Sequence, residues 1–167
     1  SLSYAKVSFP SPFYLKKYHT LRVFSLAKKA SLEHFGTGSE EHITVSLAAI
    51  YHDVGRFIQI SRYNTFDDRK SQNHGALSVA TLKKKGFLKD LPEDLRRSIL
   101  ATIITHNKHC IPTHYTNPLR STCHMLRDCD KVDILSVVTK YFNRFYRTSD
   151  YHSFSMENTV NPEILED

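Results

Sequence analysis

Ala48-Ala49-Ile50-Tyr51-His52-Asp53-Val54-Gly55-Arg56-Phe57 is the stretch on which the fold turns. An apolar run ends in an adjacent His and Asp, and a Gly follows two residues later. Adjacent side chains cannot share one face of a regular helix, where neighbours lie three and four apart. They can both reach one point where a helix stops, and Gly55 is placed to stop it. A neutral imidazole beside a carboxylate begins a site for a borderline or hard divalent ion, and the two carboxylate oxygens can bridge two ions. Alone, such a pair is more often an ordinary helix end, so the surrounding chain has to decide.

Working outward, Ser39 is a good N-cap, with Glu40 and Glu41 in the first turn that follows. Residues 43–51 are apolar almost all round, which describes a buried central helix that delivers His52 and Asp53 to the middle of the protein. Upstream, residues 1–11 read as an irregular lead-in, and Pro12 suits the first turn of a helix. Leu15, Val23, Leu26, Ala27 and Ala30 then recur at helical spacing until Gly36 and Gly38. His19 falls in the same series, so it points at the core.

Downstream, residues 56–73 mix polar and aromatic residues and predict a long loop or a short irregular helix, a kind of segment that is often functional. Ser71 or Asn73 caps a helix over residues 74–85 that Gly86 closes. Pro92-Glu93-Asp94 opens another helix, whose face Leu95, Ile99, Ile103 is continued by His106. Residues 107–117 form a polar loop. A helix over about residues 118–127 comes next. A further helix then carries Asp130, Ile134, Val137, Val138 and Tyr141 on one face and ends near Thr148. Residues 149–167 are a tail with a helix start at Pro162. The opening at Ser1 and the ending soon after that start are what a fragment would show. No strand pattern or internal repeat stands out, so the expected class is all-α in one domain over residues 1–167.

Composition narrows the function. The 167 residues are 40% hydrophobic and 24% charged, enough for one domain with a real core. A net charge of +6 and a pI near 9.2 favour anionic partners such as phosphates or nucleotides. The positive charge is scattered apart from Lys83-Lys84-Lys85, so no nucleic-acid groove is indicated. Three Cys without CxxC spacing argue against a disulfide framework or a thiolate zinc knuckle and for a reducing, cytoplasmic setting. No apolar stretch is long enough for a membrane span, and no signal-peptide pattern is present.

Several helices break their apolar series with a ligand-type residue: His19, His52 with Asp53, His106, and Asp130. Each taken singly is compatible with a hydrogen-bonded core polar group. A buried Asp, however, needs a partner, and Asp130 in particular wants a cation. The same exception on several helices points to one shared site.

The order His19…His52-Asp53…Asp130 resembles the His…His-Asp…Asp ligand order of the HD-domain superfamily, metal-dependent phosphohydrolases built as a helical bundle. The local contexts match too. Tyr18-His19-Thr20-Leu21-Arg22-Val23 is similar to that family's first His segment, and Tyr51-His52-Asp53-Val54-Gly55-Arg56-Phe57 to its HDIGRF form. Arg127-Asp128-Cys129-Asp130-Lys131-Val132-Asp133 is similar to its DADKLD segment, with Asp130 as the ligand flanked by Asp128 and Asp133.

The resemblance implies one or two divalent ions, drawn from Mn, Mg, Fe, Co, Ni and Zn. One ion would take His19, His52, Asp53 and Asp130. A second would take His74 and His106, with Asp53 bridging. For His74 the competing assignment is an exposed residue at a helix start. For His106 the rival is His109, and His106 is preferred because it continues an apolar series. His34, His42, His114, His124 and His152 fall outside the pattern as surface or structural residues.

In such a site the ions lower the pKa of a shared water, and the resulting hydroxide attacks phosphorus. Asp53 and Arg56 are the expected catalytic residues. Arg56, Arg62 and Lys70 follow the pair and are the expected contacts for a small phosphorylated substrate, most simply a nucleotide, with Lys108 and Lys131 behind them. The resemblance leaves two alternatives: a di-iron HD-type oxygenase that cleaves C–C or C–P bonds, and a regulatory module without catalysis. The intact ligand set argues against the second.

Overall fold

The computed structural model describes residues 11–148, with side chains described through Lys140 and for Phe142. Residues 1–10, the tail from 149 with Pro162 and His152, and the Tyr141 side chain lie outside the described residues. Six α-helices and one short 3-10 turn make up the described elements, and none of the described residues is in a strand. The all-α expectation holds. Among the described residues no helix is long and apolar enough to cross a membrane.

α1 (Pro12–Phe35) begins with Pro at its first turn and ends at Gly36, whose φ of 85° suits a residue without a side chain. α2 (Glu40–Tyr51) is capped by Ser39, whose hydroxyl accepts from the His42 amide at 3.2 Å. α2 is the central helix, packed against α1, α5 (Glu93–Thr105) and α6 (Leu119–Thr148). Val23 and Ala27, Val45, Ala48 and Ala49, Ile99 and Ile103, and Leu126 are fully buried and form one core cluster. α3 (Val54–Tyr63) and α4 (His74–Lys85) pack on each other, and α4 packs on α5. Asn73 caps α4, accepting from the Ala76 amide at 2.9 Å, and Gly86 closes it in the left-handed conformation.

Four expectations are corrected. The segment after the His-Asp pair is not one long loop: α3 takes its first part to Tyr63, and an irregular stretch with the 3-10 turn Asp68–Lys70 follows. The sequence left helix and loop both open because two of the inward residues are Arg56 and Gln59, so the buried face carries no plain apolar period. Gly55 does not stop α2. That helix ends at Tyr51, and Gly55 lies in the first turn of α3. Its real role is close approach: a Cβ there would collide with the His74 carbonyl oxygen and the Ser78 amide of α4. The two helices expected over residues 118–148 are one, α6, because no Gly or Pro interrupts it and buried Thr122, Leu126, Cys129, Asp130 and Asp133 keep one continuous face. Leu15 and Leu26 are exposed rather than core, at 36% and 38%, because the buried stripe of α1 follows His19, Val23 and Ala27.

Candidate metal centre

His52 and Asp53 occupy the two-residue break between α2 and α3. His52 still has helical dihedrals, whereas Asp53 turns away with φ −104° and ψ 12°. This break lets neighbours in sequence aim at one point. Ser78 of α4 clamps it, donating to the His52 carbonyl at 2.6 Å and accepting from the Gly55 amide at 2.8 Å. His19 comes from α1, His74 from the first position of α4, His106 from just beyond α5, and Asp130 from α6. All six residues are buried, none more than 7% exposed. His109, the rival of His106, is exposed, as are His34, His114 and His124.

The two oxygens of Asp53 face two groups of imidazoles. Oδ2 lies 3.6 Å from His19 Nε2 and 3.7 Å from His52 Nε2. Oδ1 lies 3.7 Å from His74 Nε2 and 3.8 Å from His106 Nε2. Asp130 Oδ1 joins the first group, 3.0 Å from His19 Nε2 and 3.8 Å from His52 Nε2. His19 and His52 present their Nε2 atoms 3.4 Å apart, and His74 and His106 theirs 3.0 Å apart. Donors about 2.0–2.2 Å from a common ion stand about 2.8–3.6 Å from each other, so this spacing is close to that of ligands. His19, His52 and Asp130 form one group able to hold an ion, and His52, Asp53 and His106 form a second that shares His52. His74 adjoins the second through His106 and Asp53 Oδ1.

Each imidazole is oriented through its other nitrogen. His52 Nδ1 donates to the Ala49 carbonyl at 2.8 Å, and His106 Nδ1 to the Ile103 carbonyl at 2.6 Å. His19 Nδ1 donates to Asp133 Oδ2 at 2.8 Å, and His74 Nδ1 to Asp68 Oδ2 at 2.8 Å. With Nδ1 carrying the proton, neutral His52 and His106 turn bare Nε2 lone pairs into the centre. A cation resolves that arrangement, and the donor set of four imidazoles and two carboxylates suits divalent ions such as Zn, Fe, Mn, Co or Ni.

The electrostatics agree. Burial pushes the His106 pKa down to about 3 and also lowers that of His52, so both are neutral. Burial opposes charge on His19 as well, but the Asp130 and Asp133 carboxylates outweigh it and raise its pKa. Burial works against the Asp53 carboxylate too, yet Lys16 and then the imidazoles hold it well below the usual range. Asp130 is lowered likewise, chiefly by His19 against its burial.

The centre opens into a cavity of about 520 Å³ lined by Asp53, His74 and Asp130 and by side chains of α1, α3, the 3-10 region and α6. Of the basic residues expected around a substrate, Arg56 and Lys131 line it. Arg62, Lys70 and Lys108 do not. All three are exposed, and Lys70 turns to Asp67. The physical reason for Arg62 is α3 itself, whose helical rotation sends Arg56 inward and Arg62 out. Arg56 is 1% exposed; its guanidinium donates to Gln59 Oε1 and the Phe66 carbonyl, and its Nε lies 3.7 Å from Asp53 Oδ1.

Sequence reasoning missed Lys16, Gln59, Asp68 and Asn107, and it placed Asp133 merely beside a ligand. Asp68 accepts from Gln59 Nε2 at 2.8 Å and from Asn107 Nδ2 at 3.1 Å while holding His74. Burial would raise its pKa, but the His74 bond, then Gln59 and Arg56, bring it down to about 2. Asp133 is pinned by Arg22 at 2.6 Å, so it fixes His19 from behind, whereas Asp128 is exposed. The signal for Asp133 and Lys16 was present as helical register: Asp133 is three residues from Asp130, and Lys16 three from His19.

No curated protein and no solved structure matches the chain. The family model described as HD domain matches residues 17–135, which span every residue of the centre from His19 to Asp133. The chain belongs to the HD-domain family, whose members are mostly metal-dependent hydrolases.

Proposed function

We propose that this protein is a metal-dependent phosphohydrolase, a phosphomonoesterase or phosphodiesterase acting on a nucleotide or another small phosphorylated metabolite. The observation that carries the reading is Asp53, one buried carboxylate whose two oxygens face two groups of imidazoles at the floor of an open cavity. His19, His52, Asp53 and Asp130 would hold one divalent ion, and His74 and His106, sharing Asp53, a second. When bound, such ions supply Lewis acidity and a water acidic enough to act as a nucleophile near neutral pH.

The chain's own residues support an anionic substrate. Four basic side chains (Lys16, Arg56, Arg69, Lys131) and four acidic ones (Asp53, Asp67, Asp68, Asp130) line the cavity, so its wall is balanced by itself. Each divalent ion would add two positive charges and leave a surplus suited to a phosphoryl group. The cavity's size fits a small ligand. Arg56, buried and braced by Gln59, serves better to hold Asp53 and the Phe66 wall in place than to reach far into the cavity.

The test is phosphate release from a panel of nucleotides and sugar phosphates with Mn²⁺, Mg²⁺, Co²⁺, Ni²⁺ and Fe²⁺, in air and under nitrogen. Hydrolysis proceeds without oxygen and with redox-inactive ions. Turnover that requires iron and consumes oxygen would replace this proposal with the di-iron oxygenase alternative. Silence throughout, in protein loaded with metal, would favour a regulatory role.

A further inference from the structure

Lys16 lies on α1 one turn before His19, and its ammonium sits 3.1 Å from Asp53 Oδ2. That is the same oxygen that faces His19 and His52. Its side chain is only 13% exposed, lines the cavity, and passes over the Phe66 ring at 5.4 Å. Phe66 in turn is stacked on its other cationic neighbour, Arg56, at 5.7 Å. The Phe66 ring therefore faces both the Lys16 ammonium and the Arg56 guanidinium.

An ammonium and a divalent ion are alternatives for one carboxylate oxygen, because both need its charge. We propose that Lys16 is a dual-purpose residue: the built-in counter-ion of Asp53 when the first ion is not bound, and the anchor for the substrate's phosphoryl group when it is. The identity of the anion rests on the phosphohydrolase proposal; the competition with metal does not. The lysine has the properties the second role needs. It is a compact charge with three donors on a flexible stem, it is within the cavity, and the ring of Phe66 limits where it can go. Among the basic residues that line the cavity, Lys16 lies 3.1 Å from the Asp53 carboxylate and Arg56 3.7 Å, and Arg56 is 1% exposed and tied to Gln59 and the Phe66 carbonyl.

The experiment uses Lys16→Met, Lys16→Arg and the exposed neighbour variant Lys17→Met in the full chain. Mn²⁺ binding to metal-depleted protein is measured by calorimetry, and binding of inorganic phosphate to Mn²⁺-loaded protein by the same method. An opposite charge within about 4–6 Å shifts an ionisation by one to three units, so the effects should be about tenfold or more. Lys16→Met should bind the first Mn²⁺ roughly tenfold more tightly, and its metal-depleted form should melt lower. Its affinity for phosphate should fall by about tenfold. Lys16→Arg should keep phosphate affinity within a few-fold, and Lys17→Met should match the native protein in both. Unchanged or weaker Mn²⁺ affinity in Lys16→Met would overturn the counter-ion role. Unchanged phosphate affinity would overturn the anchor role. Turnover is read in neither arm, so a protein that proves to hydrolyse no phosphate ester leaves both results to stand or fall by themselves.

Discussion

The two sides of Asp53 are built on one plan with different charge. Each side has one imidazole tied to a backbone carbonyl three residues back, His52 to Ala49 and His106 to Ile103. Each has another tied to a carboxylate, His19 to Asp133 and His74 to Asp68. The first side adds a carboxylate of its own, Asp130, whereas the second has Asp53 alone. Two carboxylates attract a divalent ion more strongly than one, so on the proposed two-ion reading the first side would hold its ion more firmly than the second.

The strongest way to break this comparison is Asp53→Ala. Both sides lose their shared carboxylate, so metal content measured by atomic spectroscopy should drop to background together with activity. Retention of one full equivalent would show that the sides do not share Asp53.

Next in size, Asp130→Ala and His106→Ala should separate the sides. His106→Ala should leave about one ion per chain, and Asp130→Ala should weaken the tighter ion. If His106→Ala empties both positions, the two sides form one indivisible site.

Gly55→Ala acts on the second side through packing. Its Cβ would meet the His74 carbonyl and the Ser78 amide, and overpacking of this kind costs about 1–3 kcal/mol. Denaturant unfolding should register that loss, and the looser ion should be shed before the tighter one, because α4 carries His74.

The smallest effects belong to the residues behind the imidazoles. Asp133→Asn and Asp68→Asn should each lower metal affinity by about 10–100-fold, the former at the first side and the latter at the second. Exposed Asp128→Ala should change neither. Equal weakening of both ions by Asp68→Asn would dissolve the distinction between the sides.

The sequence by itself determined what is local. Helical periods, the caps Ser39 and Asn73, the stop at Gly86, and the adjacent His52 and Asp53 are all set by interactions within a few residues, so they are legible without a third dimension. The likeness of residues 18–23, 51–57 and 127–133 to known HD segments carried the family in the same way. Tertiary structure decided the rest. α3 hides its buried face behind Arg56 and Gln59, whose partners Phe66 and Asp68 lie beyond the helix, where only folding brings them near. Asp133 meets His19 across 114 residues of chain, and Lys16 reaches an oxygen on another helix junction. A polar side chain looks the same in sequence whether water or a buried partner satisfies it. Which of the two it finds depends on the packing of helices distant in the chain, and that packing is what turned scattered His, Asp and Lys residues into one centre.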